Sequence, residues 1–216
     1  MKKISLATLA ITIVLSSFAQ KENSSKEKEK SSKSKFGIKA GFNHSSVAGS
    51  KSSFDTRPNY GYMFSAFFSS SQRNGIGYRS EFVYSREQYR VSNEEKSTDI
   101  KNDYLYMPHL MTFTIGKLVQ LQAGGQVGIL LNAKTSGAKD SSITGLMNRF
   151  NYGLAGGVEV YPFKGLIVGA RYNLSLGKMY KDYSQTSSAT PYPLPFDPST
   201  TTLKNGVLQL FIGYRF

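Results

Sequence analysis

The sequence predicts an all-β protein, an eight-stranded, antiparallel, up-and-down transmembrane β-barrel. Three observations predict it. From Phe36 onward, apolar residues recur with a period of two in long runs. Short and long connections between those runs alternate along the chain. One face of each run is aliphatic or aromatic, while the other carries Gly, Gln, Asn, Ser and a few charges. Runs of roughly 10 residues suit tilted strands crossing a bilayer, whereas soluble strands usually have about 5–6 residues.

The chain begins with a segment that reads as an address. Met1-Lys2-Lys3 is a positive start, residues 4–15 are apolar, and Ser17 and Ala19 are small. This predicts a secretory signal over 1–19, with cleavage before Gln20. The apolar run is too short for a spanning helix, which needs about 20 residues. Residues 20–35 contain only Gln, Lys, Glu, Asn and Ser. Such a composition cannot bury a core and predicts a solvated periplasmic tether. The barrel is expected over 36–216.

Each strand is justified by its own alternation. The first places Phe36, Ile38, Ala40 and Phe42 on one face. The second does so with Tyr60, Tyr62, Phe64, Ala66 and Phe68. Ile76, Tyr78, Phe82 and Tyr84 mark the third, and Leu105, Met107, Met111 and Phe113 the fourth. Leu121, Ala123, Val127, Ile129 and Leu131 mark the fifth. The sixth carries Tyr152, Leu154, Val158 and Val160. The seventh carries Leu166, Val168, Ala170, Tyr172 and Leu174, and the eighth Leu208, Leu210, Ile212, Tyr214 and Phe216.

The connections at 70–74, 116–117 and 162–165 are tight. Those at 44–58, 86–102, 134–149 and 178–204 are long and polar. Short periplasmic turns and long outer loops give this alternation. Aromatic residues near strand ends predict the interfacial girdles: Tyr60, Tyr62, Tyr84, Tyr104, Phe113, Phe150, Tyr152, Phe163, Tyr214 and Phe216. Both termini are then expected on the periplasmic side.

Composition removes several function classes. The 216 residues include no Cys and only two His, with a net charge of +13. Disulfides, thiolate chemistry and cysteine or His-rich metal sites are excluded. The charge is spread over tether, turns, interior and loops, so no nucleic-acid partner is expected.

The chain ends Gly213-Tyr214-Arg215-Phe216. Leu210, Ile212, Tyr214 and Phe216 resemble the terminal-strand signal that the barrel assembly machinery reads. With Phe36-Gly37-Ile38-Lys39-Ala40-Gly41, Tyr104-Leu105-Tyr106-Met107-Pro108 and Gly169-Ala170-Arg171-Tyr172, the chain resembles an outer-membrane β-barrel domain family. That family includes PorT-like proteins of Bacteroides-type bacteria. It more often has an acidic residue where Tyr106 stands. The resemblance implies the barrel fold and the cell outer membrane; some relatives serve in protein secretion, a role that fold alone does not transfer.

Candidate chemistry is sparse. Lys39, Arg79, Glu81, Glu159, Arg171 and Arg215 are expected on the inward face, with Arg79, Glu81, Glu159 and Arg171 forming a polar network. Buried charges need partners, so these should pair across the narrow lumen. His44 and Ser46 have the spacing seen in small outer-membrane lipid A esterases, with Asp55 the nearest downstream acid. His109 shares the face of Met107 and Met111. Pro191, Tyr192, Pro193, Pro195 and Phe196 form a stiff, aromatic candidate binding loop.

The expectation is a non-enzymatic barrel with a filled polar interior, no cofactor and no metal. Its role is structural or partner-recognising. Its partners are outer-membrane lipids, the assembly machinery during insertion and an envelope protein. The alternatives are a secretion-complex component, a narrow channel or transporter, and a lipid-modifying enzyme.

Overall fold

A computed structural model describes residues 34–49, 55–70, 75–92, 97–136, 141–181 and 203–216. The expected signal, the tether through residue 33 and the candidate binding loop (Pro191, Tyr192, Pro193, Pro195, Phe196) lie outside the described residues, and Lys35, expected to end the tether, opens the first strand. Eight long strands run in chain order: β1 (Lys35–Gly49), β2 (Asp55–Ser69), β3 (Ile76–Ser92), β4 (Ser97–Ile115), β5 (Val119–Ser136), β6 (Phe150–Val160), β7 (Leu166–Ser175) and β8 (Leu203–Arg215). Each pairs antiparallel with its chain neighbours, and β8 pairs with β1, so the sheet closes on itself. Closure is what lipid demands: a strand crossing the bilayer then has a hydrogen-bonding neighbour on each side.

The tight turns at 116–117 and 162–165 lie where expected, and residues 71–74 of the first lie outside the described residues. Gly75, Gly116 and Gly165 have φ of 80°, 62° and 86°, left-handed values that a side chain rarely tolerates. Lys35 and Arg215 lie at this same end of the barrel, and the Phe216 amide donates to the Phe36 carbonyl at 2.9 Å.

Inside the membrane band the faces follow the predicted parity. Phe42, Phe64, Phe82, Leu121, Leu154, Leu210 and Ile212 point outward and are exposed. Lys39, Asn43, Arg79, Glu81, Gln122 and Gln209 point inward and are buried. The predicted girdle aromatics also point outward, with one correction. Tyr104 is buried at 1% exposure. It lies one residue from the outward Leu105, so its own strand's parity turns it into the lumen.

A larger correction concerns the outer loops. Most of 44–58 and 86–102 is strand: β1 runs on to Gly49, β2 starts at Asp55, and β3 and β4 continue to Ser92 and from Ser97. The reason is an inversion. Beyond the band the period of two persists, but the apolar side now faces inward. Val47, Tyr89, Val91, Ile100, Ala133 and Leu203 are buried, while Arg57, Arg90 and Lys134 are exposed. Register shifts between Pro58 and Met63 on β2 and between Leu130 and Asn132 on β5, opposite Tyr104 and Asp103, change parity on those two strands near the boundary. Such bulges re-aim every residue beyond them.

Candidate functional site

The lumen holds two layers of different chemistry. The inner layer lies toward the short turns and is centred on Lys39. Its Nζ lies 2.6 Å from Glu81 Oε1 and 2.7 Å from Glu159 Oε1. Arg79 Nη1 reaches both oxygens of Glu159 at 2.7 and 2.6 Å. Its Nη2 donates to Gln120 Oε1 at 2.8 Å and to the Tyr161 hydroxyl at 3.1 Å. Arg171 Nη1 donates to Glu81 Oε2 at 2.9 Å, and its Nε to Gln209 Oε1 at 3.2 Å. The Tyr161 hydroxyl donates to Glu159 Oε2 at 2.6 Å.

Three cations face two carboxylates here, and two aromatic rings take up the difference. Lys39 Nζ sits 4.8 Å from the ring centres of both Phe67 and Phe211. The Arg79 guanidinium lies 4.4 Å from Phe67 and that of Arg171 lies 5.7 Å from Phe211. The negative face of a ring attracts a desolvated cation. Glycines make room for these rings: a Cβ at Gly37 would meet the Phe67 ring at 2.3 Å, and one at Gly169 the Phe211 ring at 2.6 Å.

The sequence-predicted quartet Arg79, Glu81, Glu159 and Arg171 is therefore brought together. Lys39, expected only as an inward charge, is the hub that joins its two acids. Arg215, also expected inward, is half-buried over the Tyr161 ring at 4.2 Å. Exposure in this layer is 3% for Lys39, 1% for Arg171 and 0% for Arg79, Glu81 and Glu159. Side chains fill the barrel at this level.

Above it, Asn43 bridges the Ser85 hydroxyl at 2.9 Å and the Arg86 carbonyl at 3.0 Å, and accepts from Gln209 at 3.1 Å. Ser85 donates to Glu87 Oε1 at 3.1 Å, and Asn205 donates to the other carboxylate oxygen of Glu87. Glu87 was expected in a loop. Its place on the face of Glu81, Val83 and Ser85, two residues apart each time, was the signal that could have found it.

The outer layer is apolar. Tyr89, Val91, Ile100, Tyr104, Ala133 and Leu203 are joined by Ile143, Met147, Met179 and Tyr180 from two loop segments. Ser141–Ser142 adds a short strand on Lys134 and Thr135, followed by a 3-10 turn at Thr144–Leu146. The Asn148 side chain donates to the carbonyls of Lys178 at 2.9 Å and Tyr180 at 3.0 Å. Met147 pairs with Tyr180, whose hydroxyl meets that of Tyr89 at 2.8 Å. These segments fold back into the mouth rather than standing as wholly polar loops. Their sequence cue is a few large apolar residues amid Gly, Ser and Lys.

The remaining candidates lie on the outer wall. His44 packs on Tyr60, ring centres 5.1 Å apart. The Ser46 hydroxyl donates to the Gly206 carbonyl at 3.3 Å, and Asp55 begins β2 opposite Ser92. His109 stacks on Tyr78 at 6.0 Å, and its Nδ1 hydrogen-bonds the Tyr78 hydroxyl. Leu210, Ile212, Tyr214 and Phe216 all face outward. Among the described residues, no three His, Asp or Glu side chains are grouped to hold a metal ion.

On the wall beyond the girdle, Arg86 Nε lies 2.7 Å from Asp103 Oδ1, and Arg90 Nε 2.6 Å from Asp99 Oδ1. The Arg90 hydrogen bonds hold the Asp99 carboxyl below its ordinary pKa. Burial alone would raise Asp103, but hydrogen bonds from Arg86 and Tyr84 outweigh it and hold that carboxyl low.

Residues 18–181 match the family described as "Outer membrane protein beta-barrel domain". No curated protein matches the chain. Similar solved structures include Ail, the attachment invasion locus protein of Yersinia pestis, at 19% identity over 86% of this chain and 100% of that one, TM-score 0.47. Neisserial surface protein A is 17% identical over 84% and 97%, TM-score 0.49. OprG of Pseudomonas aeruginosa is 13% identical over 85% and 96%, TM-score 0.49. These likenesses concern the fold.

Proposed function

The chain belongs to this outer-membrane β-barrel domain family, and from that premise we propose that it is a closed, non-catalytic barrel with a structural or partner-recognising role. The observation that carries the reading is the filling of the lumen. A charge layer exposed by at most 3% lies beneath an apolar plug in which Tyr89, Met147 and Tyr180 are exposed by 0–2%. A water-filled pore would leave such side chains wet, as porin interiors are.

The same construction favours recognition. The strands continue past the membrane and carry polar, exposed outer faces on a packed core, which gives a rigid rim. Rigid elements hold a contact surface more firmly than free loops do. The contact partner in this reading is an envelope protein. PorT-like kinship is part of the reading and rests on the short motifs at Phe36–Gly41, Tyr104–Pro108, Gly169–Tyr172 and Gly213–Phe216. No catalytic step is assigned to His44, because the Ser46 hydroxyl is engaged by Gly206.

Planar-bilayer recording of the purified barrel tests the proposal. The expected trace shows no conductance above the lipid baseline. Sustained single-channel currents from the wild type would overturn it and favour a channel.

A further inference from the structure

The lipid-facing wall is uneven. An apolar groove of about 650 Å³ crosses β8, β1, β2, β3 and β4. The register explains it. Ala40 lies between Phe64 and Ile212, and Ala66 between Ile38 and Phe82. At two nearby positions the large side chain is missing from an otherwise bulky wall. The groove's outer end is bounded by Tyr84 and Leu105, which are cross-strand partners.

Directly outward on that face stand Arg86 and Asp103, then Gln88 and Lys101, then Arg90 and Asp99. Asp103 and Asp99 are occupied by Arg86 and Arg90. Among the described residues, what remains is unbalanced. Lys101 faces Lys134 across β4–β5, and Arg57 faces Arg90 across β2–β3. Lys101 reaches the Ser136 hydroxyl at 3.3 Å and also feels Asp99, which already pairs with Arg90, so one carboxylate there faces two cations. Asp55, opposite Ser92, adds one more carboxylate at the rim. Like charges placed directly opposite weaken a sheet. Two such pairs at one rim point to an anion from outside.

Depth says which anion. Tyr62 and Tyr84 belong to the outer aromatic girdle, the level of the lipid interface. Same-face residues along a strand are about 7 Å apart. Lys101, opposite Gln88, therefore lies two such steps beyond Tyr84, with Lys134 beside it, and their long side chains reach back to headgroup height above the open end of the groove.

We propose that this face binds a phosphate-bearing lipid of the surrounding leaflet. An acyl chain lies in the groove at Ala40 and Ala66, and the phosphate lies against Lys101, Lys134 and Arg57. The site depends on the membrane location and not on whether the barrel recognises a protein partner.

The test uses the full barrel refolded in zwitterionic detergent and native mass spectrometry. The probes are bis-phosphorylated lipid A, phosphatidylcholine and inorganic phosphate. The wild type should retain lipid A over phosphatidylcholine. Replacing both lysines, Lys101→Gln with Lys134→Gln, should lower lipid A affinity roughly tenfold or more. Ala66→Phe should lower lipid A retention while leaving inorganic phosphate capture unchanged. Heat-modifiable gel migration checks folding, and Ala40→Leu fills the same groove if Ala66→Phe does not fold. Lipid A retention at the wild-type level by the lysine or the groove variants would overturn the proposal. So would equal retention of phosphatidylcholine, or displacement of lipid A by equimolar inorganic phosphate.

Discussion

Within β3, two halves of one strand obey the same period and opposite chemistry. From Ile76 to Tyr84 the outward residues are Ile76, Tyr78, Phe82 and Tyr84 with one serine, Ser80, and Arg79 and Glu81 face the lumen. From Arg86 to Ser92 the outward residues are Arg86, Gln88 and Arg90, while Tyr89 and Val91 face inward with no exposure. The solvent outside the wall accounts for the change. Lipid solvates apolar side chains as well as a protein core does, so the polar face must turn in and satisfy itself. Past the girdle the wall meets water, and the hydrophobic effect again rewards apolar burial. One continuous strand is thus a membrane protein at one end and a soluble barrel at the other.

The largest break in this comparison should come from the inner layer. Glu159→Ala leaves Lys39 and Arg79 buried beside a missing carboxylate. Removing one partner of a buried ion pair typically costs about 3–5 kcal/mol. Urea unfolding of the refolded barrel should show a loss of that order. A placement test comes next. Leu210→Arg puts a charge into lipid and should cost about 2–4 kcal/mol near the midplane. Gln88→Arg, on an outward face beyond the girdle, should leave the urea midpoint nearly unchanged. A smaller effect is expected in the plug. Met147→Ala should cost about 2 kcal/mol of packing, read as faster protease cleavage of the outer loops while the barrel keeps its folded gel mobility.

The smallest effect belongs to the outer-wall ion pairs. Asp99 and Asp103 are held below their ordinary pKa, so their stabilisation is present above about pH 4 and is lost as pH falls through that range. A slight fall in the urea midpoint on acidification, weaker at high salt, is the expected result.

The same inversion explains what could be read from the sequence. In the band, period and polarity agree, so Arg79, Glu81, Glu159 and Arg171 were legible as inward residues. Their pairing through Lys39 was not, because it depends on four strands meeting across the lumen. Beyond the band, an expectation of outward apolar residues fails at Tyr89, Val91 and Tyr104, and those strand ends look like loop. The register shifts between Pro58 and Met63 and between Leu130 and Asn132 add a change of parity that local alternation does not reveal. Ile143, Met147, Met179 and Tyr180 have no period at all. Their burial is decided by the docking of two distant segments, through Asn148 and the Met147–Tyr180 pairing.

The inversion is the central claim, and the absence of cysteine makes it directly measurable. Single cysteines at Phe82, Val83, Tyr84, Gln88, Tyr89, Arg90 and Val91 would each carry a nitroxide in the reconstituted barrel. Collision with oxygen reports lipid, and collision with a soluble nickel complex reports water. The account predicts oxygen contact at 82 and 84, nickel contact at 88 and 90, and shielding from both at 83, 89 and 91. Nickel contact at 89 and 91, or oxygen contact at 88 and 90, would contradict it.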